Sequence, residues 1–132
     1  MGRIGRFNKG SMSINRRHRI LVVDDEPLVC ESVAMLLAHD GHEVETAGSG
    51  EEALSKQGSA QFDVVITDFA MPGMKGDQLS AALKQRAPSL PVILLTAFPP
   101  PTRPVTIDLV LTKPFFLDTL REGLRHVLNV AA

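Results

Sequence analysis

Four short apolar runs each end in a polar residue suited to metal or phosphate chemistry. Ile20-Leu21-Val22-Val23 leads into Asp24-Asp25, and Val64-Val65-Ile66-Thr67 into Asp68. Val92-Ile93-Leu94-Leu95 leads into Thr96, and Leu109-Val110-Leu111-Thr112 into Lys113. Runs this apolar and β-branched predict strands buried on both faces. In an open parallel sheet the carboxyl ends of the strands line one crevice, where ligands bind. Three carboxylates, a hydroxyl and an ammonium are therefore expected at one place.

The segments between these runs have helical patterning. A helix is expected from Pro27 to His39, with Val29, Val33, Leu36 and Leu37 as its apolar stripe and Pro27 in its first turn. A strand follows at 43–47. A short helix runs from Ser49, a cap with Glu52 three residues on, toward Lys56. The next helix covers Asp77 to Arg86, and the last runs from Phe116 to Asn129 with Leu117, Leu120, Leu124, Val127 and Leu128 on one face. Counting strands at 19–24, 43–47, 62–68, 91–96 and 107–112, the alternation predicts an α/β fold. Its five-stranded parallel sheet carries helices on both faces.

One crossover departs from the pattern. Parallel neighbours need a long connection, usually helical. The stretch after Thr96 is instead Phe98-Pro99-Pro100-Pro101-Thr102-Arg103-Pro104. Proline costs about 3 kcal/mol inside a helix and disfavours helix in the residue before it. The fourth helix is expected to be missing or much reduced, and the prolines to run extended.

Composition sets the remaining bounds. A chain of 132 residues with 44% hydrophobic residues fits one domain with a real core. The lone Cys30 precludes an internal disulfide and is expected as an inert core thiol. No membrane-spanning pattern is present, and a cytoplasmic location is expected. The net charge of −1 conceals a basic start. Arg3, Arg6, Lys9, Arg16, Arg17 and Arg19 lie in residues 1–19 without an acid. Eight basic against fifteen acidic residues elsewhere leave a balance near −7. Residues 1–18 are expected to be a disordered leader, native or vector-derived, rather than a nucleic-acid-binding arm. Residues 19–130 are expected to form the domain. His39, His42 and His126 lack metal-ligand spacing and are expected at the surface.

The carboxylates repel one another unless a hard cation sits among them, and Mg²⁺ takes such oxygen ligands. A carboxylate beside a metal and a lysine can attack phosphorus, giving an aspartyl phosphate. With its ordered motifs the chain resembles the receiver domain of two-component response regulators, over about residues 19–129. These motifs are Leu21-Val22-Val23-Asp24-Asp25-Glu26-Pro27, Val65-Ile66-Thr67-Asp68, Met71-Pro72-Gly73-Met74-Lys75-Gly76, Leu94-Leu95-Thr96-Ala97 and Lys113-Pro114-Phe115. The resemblance implies a flavodoxin-like, CheY-like strand order 2-1-3-4-5. It implies Asp68 as phosphoacceptor and Mg²⁺ held by Asp25, Asp68 and the backbone carbonyl of Ala70, with Asp24 acting through water. It implies that Lys113 contacts the phosphoryl oxygens and that Thr96 turns to hydrogen-bond them. The implied donor is a phosphohistidine on a sensor histidine kinase or phosphotransfer protein, and the output is altered binding of a downstream protein rather than metabolic turnover.

Three departures bear on that expectation. Val110 stands where many relatives carry an aromatic that swings with the threonine. The proline segment replaces a helix that many relatives use for output, which turns attention to the first helix and the loop after strand five. Ala70 and Phe98, each two residues after a site residue, cannot orient a water, so the aspartyl phosphate is expected to hydrolyse slowly. Phe98 is also expected to shield the site. Two other readings compete: a phosphorylation-independent interaction module of the same fold, and a Mg²⁺-dependent phosphohydrolase. The hydrolase needs an acid two residues after its nucleophile, where this chain has Ala70. A flavodoxin-like cofactor carrier is disfavoured because Asp24-Asp25-Glu26 would repel a cofactor phosphate.

Overall fold

The computed structural model describes residues 17–131, with side chains through residue 128. The leader expected at 1–18 thus lies outside the described residues, apart from Arg17 and His18. The strands are β1 (Arg19–Val23), β2 (Glu43–Ala47), β3 (Val64–Thr67), β4 (Val92–Thr96) and β5 (Leu109–Thr112). The helices are α1 (Pro27–His39), α2 (Gly50–Ser59), α3 (Gly76–Arg86) and α4 (Leu117–Ala131). All strand pairs are parallel, and the order is β2-β1-β3-β4-β5.

Alternate residues of the central strands feed two cores. Ile20, Val22, Ile66, Ile93 and Leu95 pack with Cys30, Val33 and Leu37 of α1 and with Leu120, Leu124 and Val127 of α4. Leu21, Val23, Val65, Val92 and Leu94 pack on the other side with Ala53 of α2 and Leu79 and Leu83 of α3. β1, β3 and β4 are buried nearly throughout. β5 differs from expectation: Leu109, Val110 and Leu111 are half-buried and Thr112 is exposed. It is an edge strand, and, as the prolines predict, no helix forms over residues 97–108 to cover one of its faces.

Capping follows the sequence signals. Ser49 Oγ accepts the Glu52 N–H at 3.1 Å, and Glu52 Oε1 accepts the Gly48 N–H at 2.8 Å. α2 then continues past Lys56 to Ser59. Between β4 and β5, residues 97–108 form neither helix nor strand. Ile107, fully buried, enters the α2/α3-side core there. The Arg103 guanidinium donates to the Ile107 carbonyl. The Thr106 and Ser80 hydroxyls meet at 2.5 Å, and Lys84 Nζ pairs with Asp108 at 2.6 Å. Side chains of one short segment thus fill space that a helix would cover.

Candidate functional site

The parallel register brings the polar strand ends together. The Asp68 N–H donates to the Val23 carbonyl at 3.0 Å, joining the ends of β3 and β1. The Lys113 N–H donates to the Thr96 carbonyl at 2.9 Å, joining the ends of β5 and β4. Oxygens of Asp24, Asp25 and Asp68 come within 4.8 Å of one another. Lys113 Nζ lies 3.0 Å from Asp24 Oδ2 and 3.9 Å from Asp68 Oδ1. All five polar groups expected at the crevice therefore meet there.

Their surroundings differ. Asp24 is buried, and its Oδ1 accepts the Glu26 N–H at 3.0 Å. Asp25 is exposed, and Asp68 lies between these extremes. Asp68 Oδ1 accepts the Phe69 N–H at 2.8 Å. Burial raises the Asp68 carboxyl above the ordinary range and Asp24 adds to this, against the opposing pull of Lys113, Thr96 and the Phe69 amide. Three carboxylates facing one lysine leave excess negative charge at a pocket of oxygen donors. That chemistry fits a hard divalent cation. Ala70 lies exposed in the loop after Asp68.

The loop after β3 is built for close approach. Gly73 has φ +78°, a left-handed conformation that favours glycine. A Cβ on Gly76 would collide with the Asp68 carbonyl, so glycine lets α3 begin directly against the end of β3. Met71 is buried and Met74 packs on the same core, whereas Met35 is 71% exposed.

Two histidine and aromatic expectations need correction. His42 is half-buried rather than at the surface, and its Nδ1 accepts the His18 N–H at 3.0 Å. The pairing Arg19↔Glu43 sets these residues side by side, which spacing along the chain does not reveal. Phe98, expected to shield the site, is 82% exposed. Its N–H donates to Thr96 Oγ1 at 3.4 Å while its ring faces solvent. Cys30 behaves as the expected core thiol, buried 3.5 Å from the Val22 carbonyl, with its pKa raised by burial and by Asp24. The Phe69 and Glu26 amide donors escaped the sequence reading because backbone groups carry no residue-type signal. The Lys113–Pro114 peptide is cis.

Residues 20–125 match the family model of the response regulator receiver domain. The chain belongs to that family. The Mycobacterium tuberculosis transcriptional regulatory protein TcrA is 37% identical over 112 residues, covering 81% of this chain and 44% of TcrA. Response regulator MprA of Mycolicibacterium vanbaalenii is 36% identical, covering 84% of this chain and 50% of MprA. The chain spans about half the length of these curated relatives. Among solved structures, the chemotaxis protein CheY4 of Vibrio cholerae superposes with a TM-score of 0.80 at 34% identity, covering 86% of this chain and all of CheY4. Thermotoga maritima TrrA, solved with Mg²⁺ and BeF, gives 0.78 at 37% identity, covering 84% of this chain and 99% of TrrA. The receiver fold, its strand order and a place in two-component signalling follow from this membership. Among the described residues, no helix is long and apolar enough to cross a membrane.

Proposed function

We propose that this receiver accepts a phosphoryl group on Asp68 from a phosphohistidine of a sensor kinase or phosphotransfer protein in the cytoplasm. The observation that carries the reading is the cluster of Asp24, Asp25 and Asp68 with Lys113 bridging two of them. An Asp68 oxygen attacks phosphorus, the P–N bond to the donor imidazole breaks, and its electron pair stays on the imidazole nitrogen. Lys113 trades its resting contact with Asp24 for the incoming phosphoryl oxygens, offsetting their charge. Thr96 supplies a hydroxyl donor from the neighbouring strand end. Asp25, Asp68 and the Ala70 carbonyl would hold Mg²⁺, with Asp24 reached through water. Bound there, Mg²⁺ supplies neutralisation of charge on the transferring group.

The product is a changed binding surface for a downstream protein, a population shift driven by the phosphoryl group. No metabolic turnover is assigned, and spontaneous dephosphorylation is slow because Ala70 and Phe98 offer no side-chain hydrogen bond to an attacking water. Val110 and the missing helix favour one other reading, a receiver-like module that binds its partner without phosphate.

Intact mass after incubation with acetyl phosphate, with and without Mg²⁺, tests the assignment. Wild type gains one phosphoryl group only with Mg²⁺, Asp68→Asn gains none, and the label persists for minutes. Loss of label within seconds contradicts the slow hydrolysis. Failure of both acetyl phosphate and a phosphorylated histidine donor to label the protein moves the assignment to the phosphate-independent module.

A further inference from the structure

The segment Phe98-Pro99-Pro100-Pro101 lies mostly at the surface of the described residues. Phe98 is 82% exposed, Pro99 and Pro101 are exposed, and Pro100 is half-buried. Each of Phe98, Pro99 and Pro100 precedes a proline, which confines it to extended or polyproline backbone. The prolines fix their own φ and have no N–H to give to a sheet edge. Polyproline repeats every three residues, so Phe98 and Pro101 fall on one edge and Pro100 on another. Phe98, Pro99 and Pro101 face solvent, while Pro100 is partly covered by the body of the domain. Among the described residues, no hydrogen bond ends on the carbonyls of residues 98–102. The end of the connection is anchored by Ile107, by Thr106 against Ser80 and by Asp108 against Lys84, so the exposed stretch is held out from a fixed base.

We infer that Phe98–Pro101 is a recognition segment for a partner protein with an aromatic-lined polyproline groove. The free carbonyls suit indole or phenol donors, the proline rings suit aromatic faces, and Phe98 supplies an apolar anchor at one end. The backbone is restricted before binding, which lowers the ordering cost of a short ligand. This inference does not depend on phosphoryl transfer at Asp68. β-Strand addition is excluded as the binding mode because prolines 99–101 cannot donate to a ladder.

The experiment titrates an isolated EVH1-type domain, whose groove takes polyproline segments, with the intact chain, following the domain by NMR. Binding is expected, with shifts confined to the aromatic groove. Phe98→Ala is expected to weaken it by about tenfold or more, the scale of a buried aromatic anchor. Val105→Ala, a change at a residue 95% exposed in the same connection, is expected to leave it unchanged. A peptide of residues 96–103 serves as the control for presentation. Binding by the peptide but not by the chain overturns the inference, as does binding by neither. Self-association in sedimentation that Phe98→Ala abolishes would assign the segment to a second copy and also overturn it.

Discussion

The connections on either side of β4 do the same topological work with different means. β3 reaches β4 through a glycine-bearing loop and the regular helix α3, whose Leu79 and Leu83 are fully buried. β4 reaches β5 through a proline-rich stretch in which, among the described residues, Ile107 alone is fully buried. Both keep their strands parallel and in register. A crossover therefore needs length and an apolar plug more than it needs a helix. What the helix adds is cover, and without it β5 stays half-buried.

Four perturbations break or sharpen that contrast. Ile107→Ala is expected to destabilise by about 3 kcal/mol, comparable to Leu83→Ala, because both delete a fully buried aliphatic side chain. Denaturant unfolding of the two variants compares them, and a cost well under 1 kcal/mol for Ile107→Ala would reject its role as plug. Asp68→Asn, at the head of the helical connection, is expected to stabilise the fold near neutral pH. The folded carboxyl is raised above its unfolded value, so its charge opposes folding at higher pH. The gap between variant and wild type should close as pH falls through the folded pKa toward the unfolded one. A gap that widens on acidification reverses the assigned sign.

Thr106→Val removes the hydroxyl contact that joins the two connections, leaving Ser80 its 2.9 Å bond to the Asp77 carbonyl. A loss of about 1 kcal/mol is expected, the usual net worth of one such bond. Hydrogen exchange should rise in the 103–108 stretch and remain unchanged in α3; equal loosening of both would mean that the connections share one unit. Pro100→Ala has the smallest effect, about 0.5 kcal/mol, acting mainly through the freer unfolded chain. A thermal melt measures it, and a cost near that of Ile107→Ala would show that the exposed stretch itself carries the crossover.

The alternation of apolar runs with amphipathic segments determined the α/β class, and the polar residues ending those runs determined the site. Parallel strands place every carboxyl end on one edge, so Asp24, Asp25, Asp68, Thr96 and Lys113 were legible without coordinates. The consecutive prolines likewise foretold a connection without a helix, since ring geometry and the missing N–H act locally. Other features depended on neighbours distant in sequence. The half-burial of β5 follows from its edge position and the cover it lacks. The solvent-facing ring of Phe98 follows from the base that anchors its connection. His42 meets His18 only through the register of β1 and β2. Local chemistry wrote the elements and the charges of the crevice; burial and register, which sum over contacts between distant segments, were decided by the tertiary structure.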